Sequence, residues 1–362
     1  MHRSEALVLT KIADYCACFV EILVTGGAGY IGAHTVVSLQ QRGHDVVVVD
    51  DLSRGSKAAI DRAEIITGHR VQFYCANVRD RESLKSIFGR HDIRAVLHLA
   101  GYKSITESMS DPLKYYDNNI ASTVALCSVM KENGVRRLVF SSSATVYGAQ
   151  RDRRSIESMR TAPSSPYGRT KDVIERLLMD LSATNEGWQI TSLRYFNPVG
   201  AHISGMIGED HRGQPTNLLP LISQVALGLK PHLKVFGGDF ETPDGTGIRD
   251  YVHVVDVAEG HAAALGEDSA PNVARTFNLG TGKGSSVREV IATFESATQT
   301  RVPFEVVGRR SGDIDAIWAD TTMARASLRW SAKRTLHEAC VDHWRWQTTN
   351  PNGYDVSDRS TA

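Results

Sequence analysis

The run Gly26-Gly27-Ala28-Gly29-Tyr30-Ile31-Gly32 constrains this chain more than any other feature. It fits G-x-x-G-x-x-G and stands between an apolar run, Glu21 to Thr25, and a helical pattern that continues to about Arg42. Glycines at this spacing permit a tight strand-to-helix turn and let backbone N–H groups approach a pyrophosphate. The helix that follows adds the positive end of its dipole. A second apolar run, Val46 to Val49, ends in Asp50, 18 residues past Gly32. A carboxylate at that place accepts hydrogen bonds from a ribose diol and repels a 2′-phosphate. The pattern predicts a dinucleotide site that takes NAD rather than NADP.

Further short apolar runs follow at Val71 to Cys75, Arg94 to Leu99, Leu138 to Phe140 and Ile190 to Leu193. Helix-length stretches such as Pro112 to Glu132 and Pro166 to Ala183 separate them. Strands alternating with helices predict an α/β fold, a Rossmann-type doubly wound parallel sheet covered on both faces. After about Phe196 glycine, proline and asparagine become frequent, which predicts a smaller C-terminal substrate-binding α/β lobe. The expected division is an extension over 1–20, a dinucleotide-binding domain over 21–195, and a lobe over 196–350 with some segments returning to the sheet. A polar tail over 351–362 completes it. A chain of 362 residues is long enough for such a body with a sizeable core.

Composition narrows the partners. With 41 basic and 41 acidic side chains the formal charge is zero, so nothing draws the whole chain to nucleic acid or an anionic membrane. No run of 18 apolar residues occurs, and the longest near the start is Ala6 to Leu9, broken by Lys11 and Asp14. Five cysteines are few and odd in number, which predicts reduced thiols and a cytoplasmic protein. Cys16-x-Cys18 has no second ligand pair. His337-Glu338 and His343 resemble a zinc motif, but the histidines are six apart, about 120° round a helix. No metal is expected.

Tyr167-Gly168-Arg169-Thr170-Lys171 opens a helical pattern that puts tyrosine and lysine on one face at i and i+4. A free phenol, with a pKa near 10, is a poor base at neutral pH, and a nearby ammonium favours its ionised form. Ser141-Ser142-Ser143-Ala144-Thr145-Val146-Tyr147-Gly148 follows the run Leu138 to Phe140. Open α/β sheets bind ligands at such strand ends, where hydroxyls can hold a substrate alcohol beside the phenol.

These residues resemble the extended short-chain dehydrogenase/reductases, and within them the UDP-glucose (UDP-galactose) 4-epimerase family. The likeness runs from about Glu21 to Tyr354. It includes His98-Leu99-Ala100-Gly101-Tyr102-Lys103, Tyr115-Tyr116-Asp117-Asn118-Asn119 and the Leu193 to His202 block. Asp244 to His253, Asn278 to Gly282 and Arg309-Arg310-Ser311-Gly312-Asp313 continue it. The resemblance implies a tightly held NAD that is reduced and reoxidised in each turnover, UDP-galactose and UDP-glucose as substrates, and a homodimer. Tyr167 would take the proton of the sugar 4-hydroxyl with Ser143 bonded to the same oxygen, and Lys171 would hold the ribose and tune Tyr167. A 4-keto sugar would turn over in the site and take hydride back on its opposite face.

Carried over by position, Gly26, Gly29, Tyr30, Ile31, Gly32, Asp50, Asn77, Val78, Ala100, Lys103 and Asn118 fall at NAD-contacting places, together with Tyr167 and Lys171. Ser143, Ala144, Thr145, Tyr167, Asn197, Asn217, Phe236, Arg249, Arg310, Asp313 and Ile317 fall at UDP-sugar-contacting places. Four departures stand out. Asn77 replaces the family's usual aspartate beside the adenine, Tyr102 replaces a smaller apolar residue, and Arg151 to Arg154 is unusually basic. Ile317 stands where many bacterial members have tyrosine. Nucleotide-sugar 4,6-dehydratases share the fold but carry Asp-Glu where this chain has Ala144-Thr145, and sister epimerases of other UDP-sugars remain as alternatives.

Overall fold

Val46 to Val49 has no polar side, so a strand made from it must be covered on both faces. The computed structural model describes residues 21–150, 153–210, 215–267, 270–310 and 313–354. The expected 1–20 extension with Cys16 and Cys18, Arg151 and Asp152 of the basic loop, and most of the tail lie outside them.

Seven strands form the main sheet: β1 (Glu21–Thr25), β2 (Asp45–Asp50), β3 (Gln72–Cys75), β4 (Ile93–His98), β5 (Arg137–Ser143), β6 (Gln189–Tyr195) and β7 (Val273–Leu279). They run parallel in the order β3-β2-β1-β4-β5-β6-β7. The fold is thus the doubly wound α/β class expected. One core cluster, with Val24, Val36, Val48 and Leu97, covers one face. Another, with Leu23, Val47, Leu126 and Leu138, covers the other. Among the described residues no helix is long and apolar enough to cross a membrane.

Two boundaries differ from the sequence reading. Ser141 to Ser143 finish β5 rather than follow it, because they pair with Leu193 to Tyr195 of β6. A buried backbone ladder outweighs the weak strand preference of serine. The stretch from Pro112 to Glu132 is not a uniform α-helix. A short helix, Pro112–Tyr115, passes through a π-helical turn, Tyr116–Ile120, into the helix Ala121–Glu132. Such single π turns occur frequently at functional sites, and this one carries Asn118 and Asn119.

After Tyr195 the chain builds further elements over the carboxyl ends of the strands before β7 returns to the main sheet. Ile248–Arg249 lies between Ser285–Ser286 and Ala316–Ala319 in a four-stranded sheet that Arg154–Ser155 completes. Asn197–Val199 pairs with Tyr251–His253, and Leu233–Phe236 pairs with Phe304–Val307. Leu219, Ile222, Val235, Ile291 and Phe294 form a separate core there.

Candidate functional site

The winding direction of the sheet reverses between β1 and β4, and a crevice opens at that switch point beyond their carboxyl ends. Gly26 makes the turn out of β1 with a φ of 71°, and a Cβ there would stand 2.6 Å from the Ala100 backbone nitrogen. Only glycine suits both the conformation and the close approach. Gly29 caps the helix Tyr30–Gln40, whose first turn holds Gly32. A Cβ on Gly29 would come near only the Gly26 carbonyl, at 3.4 Å, so within the protein little besides the space before the helix N-terminus calls for glycine. That bare N-terminus fits a pyrophosphate.

Gly26, Asp50, Asn77, Val78, Ala100 and Asn118 all line the crevice. Asp50, at the end of β2, accepts hydrogen bonds from the Ala28 N–H at 3.0 Å and the Leu52 N–H at 2.9 Å. The Asn77 amide donates to Asp51 at 2.9 Å, so the carboxylate missing at 77 is present one residue beyond Asp50. Asp51, Arg54 and Tyr102 also line the crevice and were not singled out as cofactor residues from the sequence. Tyr30 turns its side chain away, and its hydroxyl donates to the Gly200 carbonyl at 2.6 Å. Ile31 packs against the core, so both side chains are engaged within the protein and only the backbone of these two residues is left toward the crevice.

Helix Pro166–Ser182 starts at Ser165, whose hydroxyl accepts from the Gly168 N–H at 3.1 Å, with Pro166 at the first helical position. A Cβ on Gly168 would sit 3.0 Å from the Thr145 carbonyl, so glycine lets this helix end press onto the loop after β5. The packing brings Ser143, Tyr167 and Lys171 together, each less than a tenth exposed. Burial raises the Tyr167 phenol above its usual pKa, and a hydrogen bond with Ser143 opposes that rise. The Lys171 ammonium donates to the Ser141 carbonyl at 2.6 Å, and burial lowers its pKa to about 8. Burial thus works against the lowering of Tyr167 that the i, i+4 pairing suggested. Lys171 does reach the crevice: its Nζ lies 3.9 Å from where a Cβ on Gly101 would stand. Asn119, fully buried, donates to Thr170 and accepts from the Tyr102 N–H, stitching this helix to the Gly101 loop.

The residues expected on the substrate side occupy the elements above the strands. Arg249 lies opposite Ile317 in the small sheet, and Ile317 packs with Ala144, Val146, Tyr147 and Phe196 beside Ser143. Thr145 donates to Ser143 Oγ at 3.0 Å through its hydroxyl. Arg310 pairs with Asp313 at 3.1 Å and lies over the Phe236 ring at 4.6 Å. Burial lowers the Arg249 pKa from its usual value. Asn197 starts the strand Asn197–Val199, and Asn217 caps the helix Leu218–Ala226. Two carboxylates given no role from the sequence organise this side. Asp250 accepts from the N–H groups of Thr281, Gly282 and Ala319. Glu209 accepts from Lys103 and Asn217.

His337 is exposed and His343 buried, as a separation of about 120° round their helix implies. Among the described residues no group of three or more His, Cys, Asp or Glu could hold a metal ion.

Residues 22–280 match the NAD dependent epimerase/dehydratase family. The chain is 49% identical to a UDP-glucose 4-epimerase of Bacillus subtilis over 333 residues, covering 92% of this chain and 98% of that one. A UDP-glucose 4-epimerase from Stenotrophomonas maltophila, solved with NAD and formylated UDP-arabinopyranose, superposes with a TM-score of 0.90 at 49% identity, covering 92% of this chain and 99% of that one. The enzyme from Bifidobacterium longum, solved with NAD+ and UDP, superposes with a TM-score of 0.89 at 44% identity, covering 92% and 100%. A likeness this close over nearly the whole length, on a crevice built as described, decides the matter: the chain belongs to the NAD dependent epimerase/dehydratase family, in its UDP-glucose 4-epimerase branch.

Proposed function

We propose that this protein interconverts UDP-galactose and UDP-glucose by inverting the sugar at C4, with NAD held throughout. The observation that carries the reading is the hydrogen-bonded pair of Ser143 and Tyr167 on the face of the helix that also brings the Lys171 ammonium close to Gly101, which lines the crevice with Asp50. NAD, when bound, supplies a hydride acceptor for C4 and a positive ring whose charge favours an ionised Tyr167. Tyr167 takes the proton of the 4-hydroxyl, and Ser143 bonds the same oxygen. Lys171, a buried ammonium anchored on the Ser141 carbonyl, holds the ribose. Arg249 and Arg310 hold the pyrophosphate, for which paired guanidinium donors are suited. Asn197, Asn217, Phe236 and Asp313 hold the rest of the nucleotide. Firm binding of the UDP leaves the 4-keto hexose free to turn, because remote binding energy retains an otherwise mobile intermediate. Ala144-Thr145 offers no carboxyl pair for eliminating water, which disfavours the dehydratase reading. Purified protein is expected to convert UDP-galactose to UDP-glucose without added cofactor, and failure to do so with NAD bound would refute the assignment.

Cofactor choice rests on Asp50. With two backbone N–H groups fixing its carboxylate at the strand end, Asp50→Ala is expected to weaken NAD retention and relax rejection of NADP. Mass spectrometry of the released cofactor reads this, and unchanged NAD occupancy with no NADP uptake would contradict it.

Substrate range rests on Ile317. By the family resemblance this position faces the substituent at the sugar C2, and isoleucine there is stiff at χ1 and packed, so an acetamido group meets a wall that cannot swing aside. Overpacking of this kind costs about 1–3 kcal/mol, or roughly 5- to 150-fold in relative rate. Weak turnover of the N-acetylated pair is expected, improved by Ile317→Ala. Equal kcat/KM for both pairs in the wild type, with no gain in the variant, would remove the gate.

The protein acts as a homodimer in the cytoplasm. Leu113 and Val124, each close to half exposed or more, sit on the helical segment around the π turn, Met109 on the short helix Ile105–Ser110 before it, and Met179 on the helix that carries Tyr167. A second copy covering them is the occupant this reading requires, and sedimentation measures it. Cys75, Cys127 and Cys340 are free thiols, which supports a reducing compartment.

A further inference from the structure

Glu209 is 5% exposed and lies between the two halves of the site. A single oxygen of its carboxylate accepts from the Lys103 ammonium at 2.9 Å and from the Asn217 amide at 2.7 Å. Lys103 follows the Gly101 and Tyr102 that line the cofactor crevice, and Asn217 caps a helix of the substrate side. Its backbone carbonyl is also fixed, accepting from the Trp346 indole N–H at 3.2 Å. The carboxylate therefore sits on an anchored segment and cannot follow one partner without altering its hold on the other.

We propose that Glu209 is the positioning residue that couples nucleotide occupancy to cofactor retention. The proposal rests on the proposed function and on the resemblance that puts Lys103 at a cofactor-contacting place and Asn217 at a nucleotide-contacting one. A nucleotide that engages Asn217 immobilises the Glu209 carboxylate, which in turn fixes Lys103 and the Gly101-Tyr102 segment before it at the rim of the cofactor crevice. Ordering paid for by the first ligand need not be paid again by the second, so binding of each tightens the other. The coupling is reciprocal by linkage, and such couplings typically amount to about 5- to 150-fold. A charged acceptor is needed because a charge-assisted hydrogen bond holds the ammonium about twice as strongly as a neutral one.

The test uses the NAD-loaded protein and UDP as the probe. NAD release is followed after dilution into an excess of an NAD-consuming enzyme, with and without saturating UDP, and UDP affinity is measured by calorimetry. In the wild type, UDP is expected to slow NAD release at least ~5-fold, the low end of such couplings. In Glu209→Gln, which keeps shape but removes charge, the ratio is expected to fall by half or more, and in Glu209→Ala it should approach one. A purely structural role would speed release equally with and without UDP and leave the ratio unchanged, which would overturn the proposal. So would a wild type that binds UDP and NAD yet shows no effect of one on the other. A wild type that binds no UDP would instead refute the functional reading on which the proposal stands.

Discussion

Tyr167→Phe is expected to keep its fold and its bound NAD yet turn over UDP-galactose at least ~100-fold more slowly, the low end for removing a general acid–base group. The ring is buried in a packed setting, edge-on to Tyr115 at 6.5 Å between centroids, so loss of the hydroxyl leaves the packing in place. What disappears is the oxygen facing Ser143. The loss should appear in kcat, with UDP affinity close to wild type, because the nucleotide contacts lie elsewhere. A variant that epimerises at near wild-type rate would mean that another residue moves the proton.

Arg194→Met is expected to be the most destabilising single change near the site. Arg194 on β6 and Glu175 on the Tyr167 helix form a buried pair, 7% and 5% exposed, joined through Nε and one terminal guanidinium nitrogen. The Ser142 hydroxyl donates to the same carboxylate, and Arg194 also reaches the Glu157 carbonyl at 3.1 Å. Removing one member of a buried pair leaves a charge without compensation and costs about 3–5 kcal/mol, whereas replacing both by apolar groups is often neutral. The single variant should therefore show a much lower urea midpoint, and Arg194→Met with Glu175→Leu should recover most of it. Single and double variants of equal stability would contradict this account of the pair.

Those two residues mark where local reading of the sequence ends. The glycine run, Asp50 and the Tyr167/Lys171 pair were legible because each follows from a short-range pattern: a turn, a strand end, a helix face. The strands were legible for the same reason, since apolar runs such as Val46 to Val49 need covering on both sides. Glu209 was not, because its partner Lys103 is 106 residues away and nothing near either residue encodes the meeting. Asp250 stood within a recognised motif, yet its task of holding the Thr281 loop to the small sheet appears only when both are folded against it. Asn77 looked like a lost carboxylate until Asp51 was found hydrogen-bonded to it. For the Tyr167 phenol the sequence showed one influence, the ammonium four residues on, and the fold adds another, because burial raises its pKa against a hydrogen bond with Ser143.

In this reaction hydrogen leaves C4 of the sugar and returns to the same carbon without leaving the protein. UDP-galactose deuterated at C4, incubated with the purified protein and no added NAD, tests it directly by mass and NMR analysis of the product. UDP-glucose with the deuterium still at C4 is expected. UDP-glucose that has exchanged this deuterium for solvent hydrogen would contradict it.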